Sequence, residues 1–217
     1  MSLKSIIHKP FRYTYSNCTL ILICVNFAIF LLCRNLTQLQ SLFSLNVIYI
    51  LKKHAYWQFF TYMFMHGSLE HVLLNMLALF CFGTAVERGM GSREFMLLYL
   101  LSGVFCGLFS FAVYYFSGIS GNLLMFYIRL VGASGAIYSI LLAYAVMFPR
   151  NVVFIMGVIP VPAPLLVLIY ALIALASQIF GLNGNVAHVT HLAGFIFAWF
   201  YFIVRMGMNP IKVWKNL

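Results

Sequence analysis

Residues 131–144 read VGASGAIYSILLAY, a run that opens on small residues and continues as an apolar helix. A helix starting at Ser134 has to end at Pro149-Arg150, since proline cannot continue it and arginine marks a membrane surface. Ser134 to Phe148 is fifteen residues, about 22 Å of helix at 1.5 Å per residue and short of the roughly 30 Å hydrocarbon core. One end must lie inside the membrane, and it is the end carrying Ser134. A helix start exposes free backbone N–H groups and a positive dipole end. In lipid those donors need partners, so this helix has to begin in a protein-lined, hydrated cavity.

The rest of the chain supports a membrane setting. Of its 217 residues 64% are hydrophobic and 7% charged, with mean hydropathy +1.01, whereas soluble domains carry about 25% charged residues. The fold class expected is an all-α membrane protein, a six-transmembrane-helix bundle forming one domain over 1–217. The spans expected are 13–33, 67–86, 95–116, 134–148, 163–180 and 188–204, with a turn at Gly181-Leu182-Asn183-Gly184-Asn185 between the last two. The first span serves as the anchor, and no cleavable signal peptide is evident. With the N-terminus inside, inner segments carry Lys4, Lys9, Arg12, Arg88, Arg93, Arg150, Arg205, Lys212 and Lys215, against Arg34, Lys52, Lys53 and Arg129 outside. This asymmetry predicts an N-in, C-in orientation. The formal charge of +10 is scattered among loops, so it points to anionic headgroups and not to nucleic acid.

Acidic residues are nearly absent. There is no aspartate, and the glutamates are Glu70, Glu87 and Glu94. Ion-coupled transport, which places an ionisable acid near the midplane, is disfavoured. Any nucleophilic serine would work in a Ser-His pair without an acidic third member. The cysteines Cys18, Cys24, Cys33, Cys81 and Cys106 lack metal-ligand spacing and read as small buried hydrophobes.

Polar residues in apolar spans are costly and ask for a reason. The second span opens HGSLEHVLLNMLALF, in which His71 and Asn75 share a helix face. The last opens NVAHVTHLAGFIFAWF, in which His188, His191, Gly194 and Ala198 share another. Gly194 and Ala198 allow a neighbouring backbone close, and the fourth span has its own small residues in Gly135, Ser139 and Ala143. Close packing of these two helices would bring Ser134 near His191. Serine, free N–H groups, histidine and asparagine in one cavity are the parts of an acyl-transfer site. Blander readings exist for each: GxSG as a packing motif, Asn75 as interhelical glue, histidines bonded to carbonyls, Tyr138 as a packing ring.

The ordered set His71-xxx-Asn75, Gly132-Ala133-Ser134-Gly135 and His191-xx-Gly194 resembles the rhomboid intramembrane serine proteases. Trp57, His66, Gly83-xxx-Glu87, Gly91-Ser92-Arg93 and Tyr99 extend the likeness, which runs from about Cys18 to Arg205. The resemblance implies Ser134 as nucleophile, His191 as base, and His71, Asn75 and the backbone N–H groups of Ala133 and Ser134 as the oxyanion hole. It implies that Tyr138 stacks under His191, with Gly132, Gly135 and Gly194 in support. Spacing alone does not choose His191 over His71 as the base. The family often has a tryptophan-arginine pair in the first loop where this chain has Trp57-Gln58, which puts the arginine's contacts in question.

Three functions are weighed. The leading expectation is a cofactor-independent, metal-independent endopeptidase cutting single-span membrane proteins near the outer face of a prokaryotic plasma membrane. A substrate helix hides its carbonyls in hydrogen bonds, so small or helix-weakening residues near the cut favour cleavage. The second reading is an inactive relative that binds transmembrane clients. The third is a metal-binding membrane protein using His66, His71, His188 and His191. Besides its substrates, the partner expected is the lipid bilayer, with no nucleic acid.

Overall fold

A computed structural model describes residues 10–155, 157–180 and 186–216. The turn expected at 181–185, and the N-terminal Lys4, His8 and Lys9, lie outside the described residues. In chain order the elements are α1 (Cys18–Cys33), α2 (Thr37–Phe43), α3 (Val47–Lys53), α4 (Gln58–Thr61), α5 (Leu69–Met90) and α6 (Ser92–Ile119). They continue with α7 (Ser134–Met147), β1 (Val152–Ile155), β2 (Ile159–Pro162), α8 (Ala163–Phe180), α9 (Val186–Val204) and α10 (Pro210–Lys215). Helices α5 and α6 are long and apolar enough to cross a membrane, with 22 and 28 residues. Four shorter apolar helices accompany them: Cys18–Cys33, Ser134–Met147, Ala163–Gln178 and His188–Val204. Helix α7 lies inside the assembly, packed against α6, α8 and α9.

Two of the three glutamates tie one end of the bundle together. Helix α1 begins at Cys18, later than hydropathy alone suggests, because Tyr13 to Asn17 run irregularly against the α5–α6 junction. Ser92 N–H donates to the Thr14 carbonyl at 2.7 Å, and Ser16 N–H donates to Ser92 Oγ at 2.7 Å. The buried Glu87 carboxylate then caps α1, accepting from Cys18 N–H at 2.7 Å, Thr19 N–H at 2.8 Å and Thr19 Oγ at 2.7 Å. Those are the donors a helix start leaves open, and a carboxylate complements its dipole. Glu94 accepts from Phe11 N–H at 3.1 Å, from Arg205 Nε at 2.8 Å and from the Tyr201 hydroxyl. The helices α5 and α6 therefore extend through charged residues that a hydropathy window excludes, meeting at Gly91 with φ +87°.

The connection between α1 and α5 is a folded subdomain of short helices. Gln58 sits at its centre, fully buried. Its Nε2 donates to the carbonyls of Leu42 at 2.9 Å and Ser41 at 3.2 Å, while its Oε1 accepts from Asn46 N–H at 3.0 Å. Asn46 Nδ2 in turn donates to the carbonyls of Ile128 at 2.9 Å and Phe126 at 3.1 Å. The glutamine thus fills the loop position where the arginine was in question.

One element departs from an all-α reading. Strands β1 and β2 form an antiparallel hairpin with Val152 opposite Pro162 and Ile155 opposite Ile159. Pro160 and Pro162 bar a helix here, and Val152, Val153 and Ile159 favour extended backbone. An uncharged run from Asn151 onward gives no hydropathy signal that separates this hairpin from the span after it.

Candidate active site

The backbone entering α7 is fixed from two sides. Leu130 and Leu45 exchange backbone hydrogen bonds at 2.9 and 3.0 Å, and Gly132 N–H donates to the Tyr62 carbonyl at 3.0 Å. Gly132 has φ +113°, a conformation that L side chains rarely adopt. Ala133 follows, fully buried, and Ser134 opens the helix.

Helix α9 brings His191 to this point. Its Gly194 lies so close to α7 that a Cβ there would run into the Gly135 carbonyl oxygen. Ser139 Oγ donates to the Gly194 carbonyl at 2.7 Å, and Ala143 and Ala198 are both fully buried. Small residues and one interhelical hydrogen bond set the approach, as is general for helices in lipid. Gly135 also abuts Thr190, whose hydroxyl pairs with Ser110 Oγ at 2.7 Å. At that spacing His191 Nε2 stands 2.9 Å from Ser134 Oγ. The Tyr138 ring, one turn along α7, stacks on the His191 ring at 4.0 Å between centroids and 6° between planes.

Helix α5 supplies the opposite wall. Ser68 accepts from His71 N–H at 3.1 Å and caps the helix start. A Cβ on Gly132 would lie 2.8 Å from His71 Cε1 and Nε2 and 3.5 Å from Asn75 Nδ2, so both side chains lie close against Gly132, two residues before Ser134. The Asn75 Nδ2 group is buried and has no acceptor among the described residues. His66 stands edge-on to His71 at 5.1 Å; its burial, and then His71 beside it, push it down to about 4. His188 is 6.1 Å from His191 ring to ring. The four histidines form two ring pairs, and among the described residues no three His, Cys, Asp or Glu side chains group as a metal site.

His71, Asn75, Ser134, Tyr138 and His191 all line one cavity of about 440 Å3 between α5 and α8. Its other walls, including Ala78, Phe82, Leu141 and Tyr170, are largely apolar. The arrangement pairs a hydroxyl with an imidazole at hydrogen-bond distance, beside the free N–H groups of a helix start and an amide with no protein acceptor. Such a group can transfer a proton from Ser134 to His191 and stabilise an oxyanion. The Ser110–Thr190 bond and Tyr170 were not singled out in the sequence. The first was signalled only by two hydroxyls in apolar spans, and Tyr170 by nothing beyond its aromatic character.

The rhomboid domain family matches residues 53–207. The chain is 30% identical over 169 residues to the rhomboid protease AarA of Providencia stuartii, covering 71% of this chain and 58% of that protein. It is 35% identical over 103 residues to RHOMBOID-like protein 1 of Arabidopsis thaliana, covering 48% and 24%. Against the rhomboid protease GlpG of Salmonella newport (strain SL254) it is 37% identical over 84 residues, covering 37% and 30%. The chain spans less than two thirds of the length of these relatives. The match over 53–207 takes in every residue of the cavity around Ser134, and the chain belongs to the rhomboid family.

Proposed function

We propose that the protein is an intramembrane serine endopeptidase acting through a Ser134–His191 dyad on peptide bonds in or near the transmembrane segments of membrane proteins. The observation that carries this reading is the 2.9 Å pairing of Ser134 Oγ with His191 Nε2, with the imidazole held flat on Tyr138. For Nε2 to accept the serine proton, the ring proton must sit on Nδ1. Ser134 Oγ attacks the scissile carbonyl as its proton passes to Nε2, and the carbonyl oxygen becomes an oxyanion. The N–H groups of Ala133 and Ser134, with His71 and Asn75 facing them, stabilise that charge. Collapse breaks the peptide C–N bond, and His191 returns the proton to the departing amine. Water, activated by His191, then hydrolyses the acyl-enzyme.

Six spans, an N-in and C-in orientation and a site opening to the outer face of a plasma membrane complete the reading. The cavity lies between α5 and α8, so a single-span substrate reaches it by unwinding between those two helices. A proteolytically inactive, client-binding relative is the second reading, disfavoured because the dyad side chains are intact. The test is co-expression with a panel of tagged single-span proteins, comparing the chain with Ser134→Ala. Cleavage of at least one substrate by the wild type alone supports the proposal; identical fragments from both proteins overturn it.

A further inference from the structure

A second cavity, about 300 Å3, lies among α7, α8, α9 and α10 and shares no lining residue with the cavity around Ser134. Val167 and Ala171 of α8, Phe195 and Trp199 of α9 and Trp214 of α10 line it, and Leu168 and Phe200 stand at its rim, 50% and 60% exposed. Its volume is at the lower edge of the range of ligand pockets, about 300–1,000 Å3. Apart from α10, its walls belong to apolar helices, so its mouth faces hydrocarbon. Trp214 is fixed in place: its Nε1 donates to the Ala145 carbonyl at 2.9 Å and its ring meets Trp199 edge-on at 5.8 Å. A tryptophan with one polar bond at the end of a span is the usual mark of the headgroup level. The same short helix carries the exposed Lys212 and Lys215, three residues apart and so on one face, and contains no acidic residue.

We propose that this cavity binds an acyl chain of an anionic phospholipid whose headgroup is met by Lys212 and Lys215. The apolar lining selects a hydrocarbon chain, and the two lysines at the headgroup level select its charge. The inner wall gives the site a route to the other cavity. Phe195 lies 5.0 Å from Tyr138, and Tyr138 carries the stacked His191 ring. An occupied cavity therefore backs the ring on which His191 rests.

The test reads binding directly and does not depend on proteolysis. The full chain carrying Trp57→Phe, so that only Trp199 and Trp214 report, is placed in nanodiscs of phosphatidylcholine. Tryptophan quenching is then titrated with chain-brominated phosphatidylglycerol or chain-brominated phosphatidylcholine. The anionic lipid should quench at a mole fraction lower by about fivefold for each lysine engaged. The double variant Lys212→Gln, Lys215→Gln should erase that difference. Ala171→Phe should reduce quenching by both lipids, and Ala171→Leu, a smaller filling, should do so in part if the larger one impairs folding. Equal quenching by the two lipids in the wild type, or quenching untouched by either Ala171 variant, overturns the proposal. So does quenching that weakens as protein density rises, because a second copy of the chain would then be the occupant.

Discussion

Asn75→Ala separates packing from chemistry, because the two roles demand different partners. As interhelical glue, Asn75 would spend its amide on a neighbouring helix. Instead its Nδ2 is buried without an acceptor among the described residues and lies close against Gly132, two residues before Ser134. Loss of one oxyanion donor has cost about 2.7–4 kcal/mol in turnover elsewhere. Here the N–H groups of Ala133 and Ser134 remain, with His71 beside them, so the expected loss is smaller, about 10- to 100-fold or roughly 1.4–2.7 kcal/mol. Stability should barely move. Removing an amide that has no partner relieves about 1–3 kcal/mol of desolvation and offsets the packing lost. A net change under about 1 kcal/mol corresponds to a melting shift within about 2–4 °C. Turnover and melting temperature are measured on one purified sample. Wild-type turnover with a melting temperature lowered by ten degrees or more, corresponding to roughly several kcal/mol, would refute the oxyanion reasoning and return Asn75 to helix packing.

Three further outcomes follow from individual contacts. Gly194→Ala places a methyl against the Gly135 carbonyl, so α7 and α9 must separate; stability should fall by about 1–3 kcal/mol and turnover per folded molecule on the order of 100-fold, since small misplacements are costly in catalysis. Gln58→Ala strips the buried bonds to Ser41, Leu42 and Asn46, and should lower stability by about 1–3 kcal/mol in thermal melts with turnover per folded molecule little changed. Tyr138→Phe keeps the stack under His191 and should stay near wild type in peptide-cleavage assays, whereas Tyr138→Leu loses an aromatic pair of about 0.5–1.5 kcal/mol and should slow turnover roughly two- to tenfold.

The central part of the site was legible because it follows from length and residue size. Pro149-Arg150 sets the end of a short helix that opens at Ser134, and Gly194 and Ala198 announce the close approach of α9 that puts His191 2.9 Å from Ser134. The roles of Glu87 and Glu94 were not legible. Hydropathy marks them as surface residues, while their buried positions depend on backbone donors at Phe11, Cys18 and Thr19 far away in the chain. Gln58 was hidden for the same reason, since its partners are backbone groups, two carbonyls in the last turn of α2 and the Asn46 N–H, that no side-chain pattern reveals. The β1–β2 hairpin escaped notice because strand and span look alike in an uncharged run. There only Pro160 and Pro162 argued against a helix. The turn at 181–185 lies outside the described residues.

Activation of Ser134 by His191 is read from the rate at which a fluorophosphonate covalently labels the purified protein, followed by intact mass. The 2.9 Å pairing predicts a single adduct on Ser134 in the wild type. His188→Ala should label at a comparable rate, while His191→Ala and Ser134→Ala should not label. An adduct forming equally fast without His191, or labelling lost equally in His188→Ala and His191→Ala, would contradict the dyad.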